Sequence, residues 1–144
     1  MDAVRKAYNQ ICTQWYEFRR KCSVNACIAE FAKLLKPGSK ILDIGCGTGY
    51  PVAAWLDGHG FEVTGIDISE KMIEKAKTLS LVRACFFVQD FLDLKTEEKF
   101  DAVIAFDSLW HIEYSRQREL YGRVAALMNP GGFFCLPMVR ETGK

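Results

Sequence analysis

A glycine-rich loop between a strand pattern and a helix pattern constrains the fold of this chain more than any other feature of its sequence. Residues 40–44 read Lys-Ile-Leu-Asp-Ile, which is typical of a buried strand, and Gly45, Gly47 and Gly49 follow at once. Glycine reaches positive φ without strain and lets a ligand approach the backbone closely. Pro51 suits the first turn of the next helix, because its φ is helical and its missing N–H would be unpaired there. The order of strand, loop and helix predicts a cradle for a nucleotide-like ligand at the switch point of a sheet.

Strand and helix patterns alternate from residue 40 onwards. The predicted strands are 40–44, 61–66, 84–89, 101–105 and a last strand after the turn Asn129-Pro130-Gly131-Gly132. The predicted helices between them are 51–59, 69–79 and 115–128. Alternation of this kind implies parallel pairing through right-handed crossovers. We therefore expect an α/β fold with a doubly wound, mostly parallel sheet.

Two further helices are predicted before the first strand. Apolar residues recur at helical spacing over residues 2–20, and again over residues 24–36 after Ser23, a candidate cap. The compositional break falls at residues 36–39, Lys-Pro-Gly-Ser. With 144 residues, the chain is expected to form one domain, 1–144, made of a helical cap, 1–36, and an α/β core, 40–144.

The composition excludes several classes of partner. Nineteen basic and eighteen acidic side chains leave a formal charge of +1, which gives no field that would attract nucleic acid or an anionic membrane. The six cysteines include no C-x-x-C pair, and several lie in apolar runs, so we interpret them as reduced core residues. The amino terminus opens no apolar signal region, and no stretch is long enough to span a bilayer. We expect a cytoplasmic protein with a small-molecule substrate, without a membrane anchor and without a metal.

Two residues beside the glycine loop discriminate between ligand classes. Tyr50 stands where the dinucleotide-binding motif has its third glycine, which disfavours a nicotinamide-dependent oxidoreductase. Asp43 lies two residues before the first glycine, where a carboxylate would repel a pyrophosphate and favour a cationic ligand.

With those residues, the segment Asp-Ile-Gly-Cys-Gly-Thr-Gly resembles the first motif of the class I, Rossmann-like methyltransferases that use S-adenosylmethionine (SAM), in the small-molecule branch with leading helices. The resemblance implies an enzyme that transfers the SAM methyl group to a small-molecule acceptor. It also implies that the cofactor contacts the following motif residues: Asp43, Gly45, Cys46, Gly47 and Gly49.

The ends of the next two predicted strands supply further cofactor candidates. Asp67 can accept hydrogen bonds from both ribose hydroxyls, and Ile68 offers an apolar face to adenine. The alternative for Asp67 is a cap for the helix that follows. The family places an adenine contact at the position of Asp90 and Phe91, although a turn-starting aspartate beside a core phenylalanine explains these two residues equally well.

The remaining site candidates lie after the fourth predicted strand and in the first helix. By resemblance, the carbonyl group near Phe106 accepts from the methionine ammonium, and His111 or Asp107 acts as a general base if the acceptor must lose a proton. Capping or packing is the alternative for His111. By the same resemblance, Tyr8 covers the sulfonium through a cation–π contact and Arg19 pairs with the methionine carboxylate. The alternatives are a core aromatic and a solvated basic face.

The sequence stops soon after the fifth predicted strand, whereas the family continues into strands six and seven. Without them the outer edge of strand five would be exposed and could pair with a second copy in a homodimer. A non-catalytic SAM-binding or dimerising module is therefore the alternative function. A nucleic-acid methyltransferase is disfavoured by the low net charge and by the lack of an Asn/Asp-Pro-Pro-aromatic motif after strand four.

Overall fold

The computed structural model describes residues 2–106 and 113–136. The helices are α1 (Asp2–Arg19), α2 (Ala26–Ala32), α3 (Val52–Gly58), α4 (Glu70–Lys77) and α5 (Gln117–Leu127). The strands are β1 (Lys40–Ile44), β2 (Glu62–Asp67), β3 (Ala84–Val88), β4 (Phe100–Ile104) and β5 (Met128–Cys135). Short 3₁₀ turns lie at Phe91–Asp93 and Tyr114–Arg116.

The five strands of the described residues form one sheet in the order β3-β2-β1-β4-β5, and every pair is parallel. The predicted doubly wound α/β architecture is confirmed. Chain order reverses between β1 and β4, so the switch point lies beside the carboxyl end of β1. The glycine loop starts there, since Ile44 is the last residue of β1.

The core lies on both faces of this sheet. Residues 41–44 of β1 are all buried, as expected for a central parallel strand covered on two sides. One core cluster contains Ile41 and reaches α2 through the fully buried Ile28, and the other contains Leu42 and reaches α5 through Leu120. Strand β1 is therefore held from both faces, which fixes the position of the loop that follows it.

The predicted element boundaries mostly agree with the structure to within one or two residues, with one clear difference at α2. This helix begins after Asn25, whose side chain accepts a hydrogen bond from the Cys27 N–H at 2.8 Å. Ser23, the predicted cap, lies before it. The prediction of a helix over 24–36 was thus too long at both ends, because Asn25 provides the first cap and the chain turns after Ala32.

The predicted turn at residues 129–132 lies inside β5 instead of before it. The register steps from Phe100 opposite Met128 to Ala102 opposite Phe133, so these residues form a bulge opposite Asp101. The Asp101 carboxylate accepts from the Lys40 N–H at 2.9 Å and from Asn129 Nδ2 at 3.0 Å. These two bonds lower the pKa of Asp101 and fix the bulge to the amino ends of β1 and β4.

Three general features bear on the sequence predictions. No helix within the described ranges combines the length and apolar character needed to cross a bilayer. All six cysteines belong to the described residues and are free thiols. Among the same residues, no group of three or more His, Cys, Asp or Glu side chains is arranged to hold a metal ion.

Candidate functional site

The glycine loop after β1 is pinned to the end of β2. The N–H groups of Gly45 and Cys46 both donate to the Ile66 carbonyl, at 2.8 and 3.0 Å. Gly45, Gly47 and Gly49 all have positive φ, at 69°, 57° and 86°. A Cβ on Gly49 would lie 2.9 Å from a side-chain carbon of Leu79. The loop therefore requires glycine both for its backbone conformation and for its packing, as the sequence predicts.

Asp67, the last residue of β2, is joined to the loop directly. Its Oδ2 accepts from the Gly47 N–H at 3.0 Å and its Oδ1 accepts from the Ser69 N–H at 2.9 Å. Burial raises the pKa of Asp67, and backbone N–H groups, including those of Ser69 and Gly47, oppose that rise. The cap of α4 is the Ser69 hydroxyl, which accepts from the Met72 N–H at 3.2 Å, so capping does not account for Asp67. A carboxylate has about four acceptor positions, so Asp67 keeps the capacity to accept from a ligand hydroxyl.

Asp43 is the most unusual group of the site. It is 2% exposed, and its Oδ2 has no hydrogen-bond partner among residues 2–106 and 113–136. Burial, with a smaller contribution from the Asp67 charge, raises the pKa of Asp43 to about 8, and the Arg19 charge opposes the rise. A buried carboxyl oxygen without a partner is costly, so it marks a place where a donor or a cation is expected to bind.

The side chains inside the loop face the protein core. Cys46 is 9% exposed and belongs to the core, and burial raises the pKa of its thiol well above the ordinary value. It is a neutral packing group, so a ligand would meet its backbone and not its sulfur. Thr48 is fully buried, and its hydroxyl has no partner among the described residues. The sequence analysis did not single out Thr48, because threonine within a glycine loop carries no separate signal.

Helix α1 lies over the glycine loop. The Trp15 Nε1 atom would be 3.5 Å from a Cβ built on Gly47. Tyr8 contacts the Trp15 ring edge-on at 6.3 Å between centroids, and the Arg19 guanidinium lies over the same ring at 5.4 Å. Tyr8 and Arg19 thus lie beside Trp15, which itself faces the loop, and their contacts with a cofactor stay predictions. Trp15 shares their helical face in the sequence pattern but was not given a role of its own.

The candidates after β3 have direct structural roles. The Asp90 Oδ1 accepts from the Leu92 N–H at 3.0 Å and so starts the 3₁₀ turn, and Phe91 is 5% exposed within the core. These contacts support the turn interpretation, and an adenine contact at Asp90 and Phe91 stays a prediction. Ile68 and Phe106 are half-buried at the carboxyl edge of the sheet. Asp107 and His111, the candidate bases, lie outside the described residues.

The groups at this edge define the chemistry that the site can perform. Two carboxyl groups, the buried Asp43 and the half-buried Asp67, flank a backbone loop, and aromatic rings of α1 lie above it. The acidic pair disfavours a phosphate and suits a ligand that carries both a positive charge and hydroxyl groups. The aromatic faces are suited to a second, sulfonium-like cation.

Comparisons with known proteins identify the family of this chain. A family profile described as a methyltransferase domain matches residues 41–132. Squalene methyltransferase 1 from Botryococcus braunii is 38% identical over 115 residues, which is 74% of this chain and 29% of that protein. The 27-O-demethylrifamycin SV methyltransferase from Amycolatopsis mediterranei is 33% identical over 108 residues, or 71% of this chain and 39% of that protein.

Solved structures give the same result. The crystal structure of magnesium protoporphyrin IX methyltransferase from Synechocystis PCC 6803 with bound SAM matches with a TM-score of 0.71 and 27% identity. The match covers 89% of this chain and 71% of that one. In contrast, this chain spans well under half the length of the two relatives compared by sequence.

Proposed function

This chain belongs to the methyltransferase-domain family, and we propose that it binds SAM and transfers the methyl group of SAM to a small-molecule acceptor. The predicted Rossmann-like methyltransferase fold is confirmed by the all-parallel sheet and by the structural match. The observation that carries the proposal is the buried Oδ2 of Asp43 beside the glycine loop, which has no hydrogen-bond partner within the part of the chain that the structure describes. An ammonium group would supply the positive charge and the donor that this oxygen lacks.

Different residues at the carboxyl edge of the sheet would contact different groups of the cofactor. Asp43 would bind the ammonium group, the free lone pairs of Asp67 would accept from the ribose hydroxyls, and Arg19 would pair with the carboxylate. Tyr8 and Trp15 would cover the sulfonium. Ile68, Asp90, Phe91 and the carbonyl group near Phe106 complete the proposed set.

Catalysis by these residues rests on positioning. When bound, SAM would supply a methyl group on a sulfonium, and the sulfur would leave as the acceptor approaches the methyl carbon from the opposite side. The chain contributes orientation and exclusion of water, which account for most of the acceleration that such a displacement needs. His111 or Asp107 would remove a proton if the acceptor has one to lose.

The acceptor is proposed to be a small molecule with an apolar part. Ile11 and Phe18 lie on the same face of α1 as Trp15, at helical spacing, and they are 39% and 62% exposed. An apolar face that continues from the cofactor cradle supports an apolar acceptor over a nucleic acid. The free thiols are those expected of a cytoplasmic protein.

The second candidate function is a SAM-binding or dimerising module without turnover. It is favoured by the outer edge of β5, which pairs with no other strand of the described residues. The two functions differ in a simple assay, since only the enzyme forms S-adenosylhomocysteine when an acceptor is supplied. A homodimer through this edge would show a doubled mass in light scattering.

Replacing Asp67 by alanine tests the cofactor site. We expect Asp67→Ala to weaken the binding of S-adenosylhomocysteine on the order of 100-fold, because it removes both the ribose acceptors and the anchor of the Gly47 N–H. Titration calorimetry measures the change.

Asp101→Ala is the matched control for Asp67→Ala. Asp101 also accepts two hydrogen bonds, but from Lys40 and Asn129 at the opposite edge of the sheet. It should lower the free energy of unfolding and leave the dissociation constant within a factor of two to three. Equal affinity in Asp67→Ala and the wild-type chain would contradict the proposed site.

A further inference from the structure

One side chain of α1, Asn9, makes three hydrogen bonds to the start of α4. Its Oδ1 accepts from the Ser69 hydroxyl at 2.6 Å and from the Lys71 N–H at 3.3 Å. Its Nδ2 donates to Glu70 Oε2 at 3.0 Å. Asn9 therefore joins a helix from the amino-terminal segment to the residues that follow β2.

The bonds of Asn9 continue without a break to the glycine loop. Ser69 donates through its hydroxyl to Asn9 and through its N–H to Asp67 Oδ1, at 2.6 and 2.9 Å. Asp67 in turn accepts from the Gly47 N–H at 3.0 Å. Gly47 faces Trp15, which is on α1 again. This path of contacts, from Asn9 through Ser69, Asp67 and Gly47 to Trp15, therefore starts and ends on α1 and passes through the glycine loop, which is the proposed cofactor cradle.

Each side chain along this path has a fixed role as hydrogen-bond donor or acceptor. The Ser69 hydroxyl has one proton, which it gives to Asn9, and it accepts from the Met72 N–H as the cap of α4. At Glu70, the bonds from Asn9 and Arg5 hold the pKa at about 2, so this carboxylate is an acceptor at every working pH. The Asn9 amide meets both requirements, because its oxygen accepts from Ser69 and its nitrogen donates to Glu70.

Other contacts between α1 and α4 do not involve the cradle. Arg5 pairs with Glu70 at 2.7 Å, and the Lys75 ammonium lies 4.1 Å from the centre of the Tyr16 ring. These contacts are expected to keep α1 attached when Asn9 is replaced. The loss of Asn9 would then change the placement of α1 and Asp67, while the helix itself remains docked.

We propose that Asn9 is a positioning residue of the cofactor site, a role that rests on the proposed function above. Through Ser69 it holds the Asp67 carboxylate, and through α1 it holds Trp15 over Gly47. Asn9 acts through these groups without contacting the cofactor. Cofactor affinity therefore depends on a hydrogen bond that lies behind the site.

The first test compares Asn9→Ala with two controls in the full chain. We expect Asn9→Ala to weaken S-adenosylhomocysteine binding about tenfold in titration calorimetry, or about 1.4 kcal/mol. Gln10→Ala changes an exposed neighbour on the same helix and should leave the affinity unchanged. Asp57→Ala removes the acceptor of the Arg83 N–H away from the cradle, so it should lower stability without changing affinity. Equal affinity for Asn9→Ala and Gln10→Ala would overturn the proposal.

A second test reverses the donor and the acceptor. Asn9→Asp keeps the acceptor for the Ser69 hydroxyl but loses the donor to Glu70 and places a like charge beside it, so its affinity should lie between those of Asn9→Ala and the wild-type chain. Adding Glu70→Gln restores a donor opposite position 9 but weakens the Arg5–Glu70 pair, so the double variant should recover part of the lost affinity. A merely structural role predicts parallel changes in melting temperature and no such recovery in the dissociation constant.

Hydrogen exchange without ligand separates this proposal from the proposed function. We expect the Gly47 and Ser69 amides to exchange at least fivefold faster in Asn9→Ala than in Gln10→Ala, because the path that protects them is broken. Unchanged exchange would reject the path through Ser69 and Asp67, whatever the chain binds. If the wild-type chain failed to bind S-adenosylhomocysteine while exchange changed as expected, the proposed function would fail and the positioning of Asp67 by Asn9 would stand.

Discussion

The Asp43→Asn variant is expected to bind S-adenosylhomocysteine on the order of 100-fold more weakly than the wild-type chain, and to melt at a higher temperature at pH 8. Binding weakens because the amide cannot provide the negative charge that the ligand ammonium needs. Stability rises because the wild-type fold buries a carboxyl group whose Oδ2 has no partner among the described residues. The same substitution is thus expected to weaken ligand binding and to raise stability, so the carboxylate at position 43 favours binding at the expense of stability.

The direction of the pH dependence follows from the raised pKa of Asp43. In the unfolded chain this group ionises near 3.8, whereas in the fold it does so near 8. Between these values the folded state binds one more proton, so the free energy of unfolding falls as the pH rises, by about 1.4 kcal/mol per pH unit. The stabilising effect of the neutral form is complete below pH 3.8 and lost above pH 8. Asp43→Asn lacks this slope.

Thermal melts from pH 5 to pH 9 measure the difference. The melting temperature of Asp43→Asn should exceed that of the wild-type chain by about 10 °C at pH 8, and the gap should narrow toward pH 5. The nearby titrating groups, Asp67 and Cys46, and the Arg19 side chain are present in both chains, so they do not account for a difference between them. Asp57→Asn is the control, because the Asp57 carboxylate already accepts from the Arg83 N–H and its loss should not stabilise the fold.

Calorimetry in buffers of different ionisation enthalpy provides the matching test of binding. Binding of the ammonium should release close to one proton from Asp43 at pH 7, and this release should be absent in Asp43→Asn. Affinity of the wild-type chain should increase up to about pH 8. A gap in melting temperature that does not vary with pH, together with unchanged affinity, would show that Asp43 is not the ammonium partner.

The glycine loop and the parallel α/β architecture could be predicted from the sequence because both depend on local rules. Positive φ at Gly45, Gly47 and Gly49 leaves few conformations for the turn, and alternation of strand and helix leaves few sheet topologies. The positions of Asp43 and Asp67 follow, because each lies at the carboxyl end of a strand. These parts of the site need no knowledge of distant contacts.

The predictions that failed or stayed open depend on contacts between distant residues. The bulge in β5 forms because Asp101 binds Lys40 and Asn129 at once, and no local pattern shows that the turn residues will join the strand. Likewise, Asn9 has the sequence signal of an ordinary polar helix residue. Its importance depends on Ser69, which lies 60 residues away in the chain.

Gly65 was missed by the sequence analysis, although a lone glycine within a strand indicates close approach of a neighbour. We expect Gly65→Ala to lower the free energy of unfolding by about 2–3 kcal/mol. A Cβ at this position would lie 2.6 Å from Phe86 Cδ1 and 2.9 Å from Cys46 Sγ. Both side chains are buried, at 5% and 9% exposure, so neither can move away without disturbing the core.

Urea denaturation of three variants checks this expectation. Gly122→Ala makes the same change in the interior of α5, where no other described residue has an atom within 4 Å of the new Cβ. It should therefore raise stability by about 0.5–1 kcal/mol. Adding Phe86→Leu to Gly65→Ala removes the ring that is closest to the new methyl group and should recover part of the loss in stability.

Because the clash also pushes Cys46, whose N–H is bonded to the end of β2, Gly65→Ala should weaken cofactor binding as well. A Gly65→Ala chain as stable as Gly122→Ala would mean that β2 and β3 can separate at this point. The rigid support of the glycine loop would then have to come from its bonds to the Ile66 carbonyl and to Asp67 without the packing of Phe86.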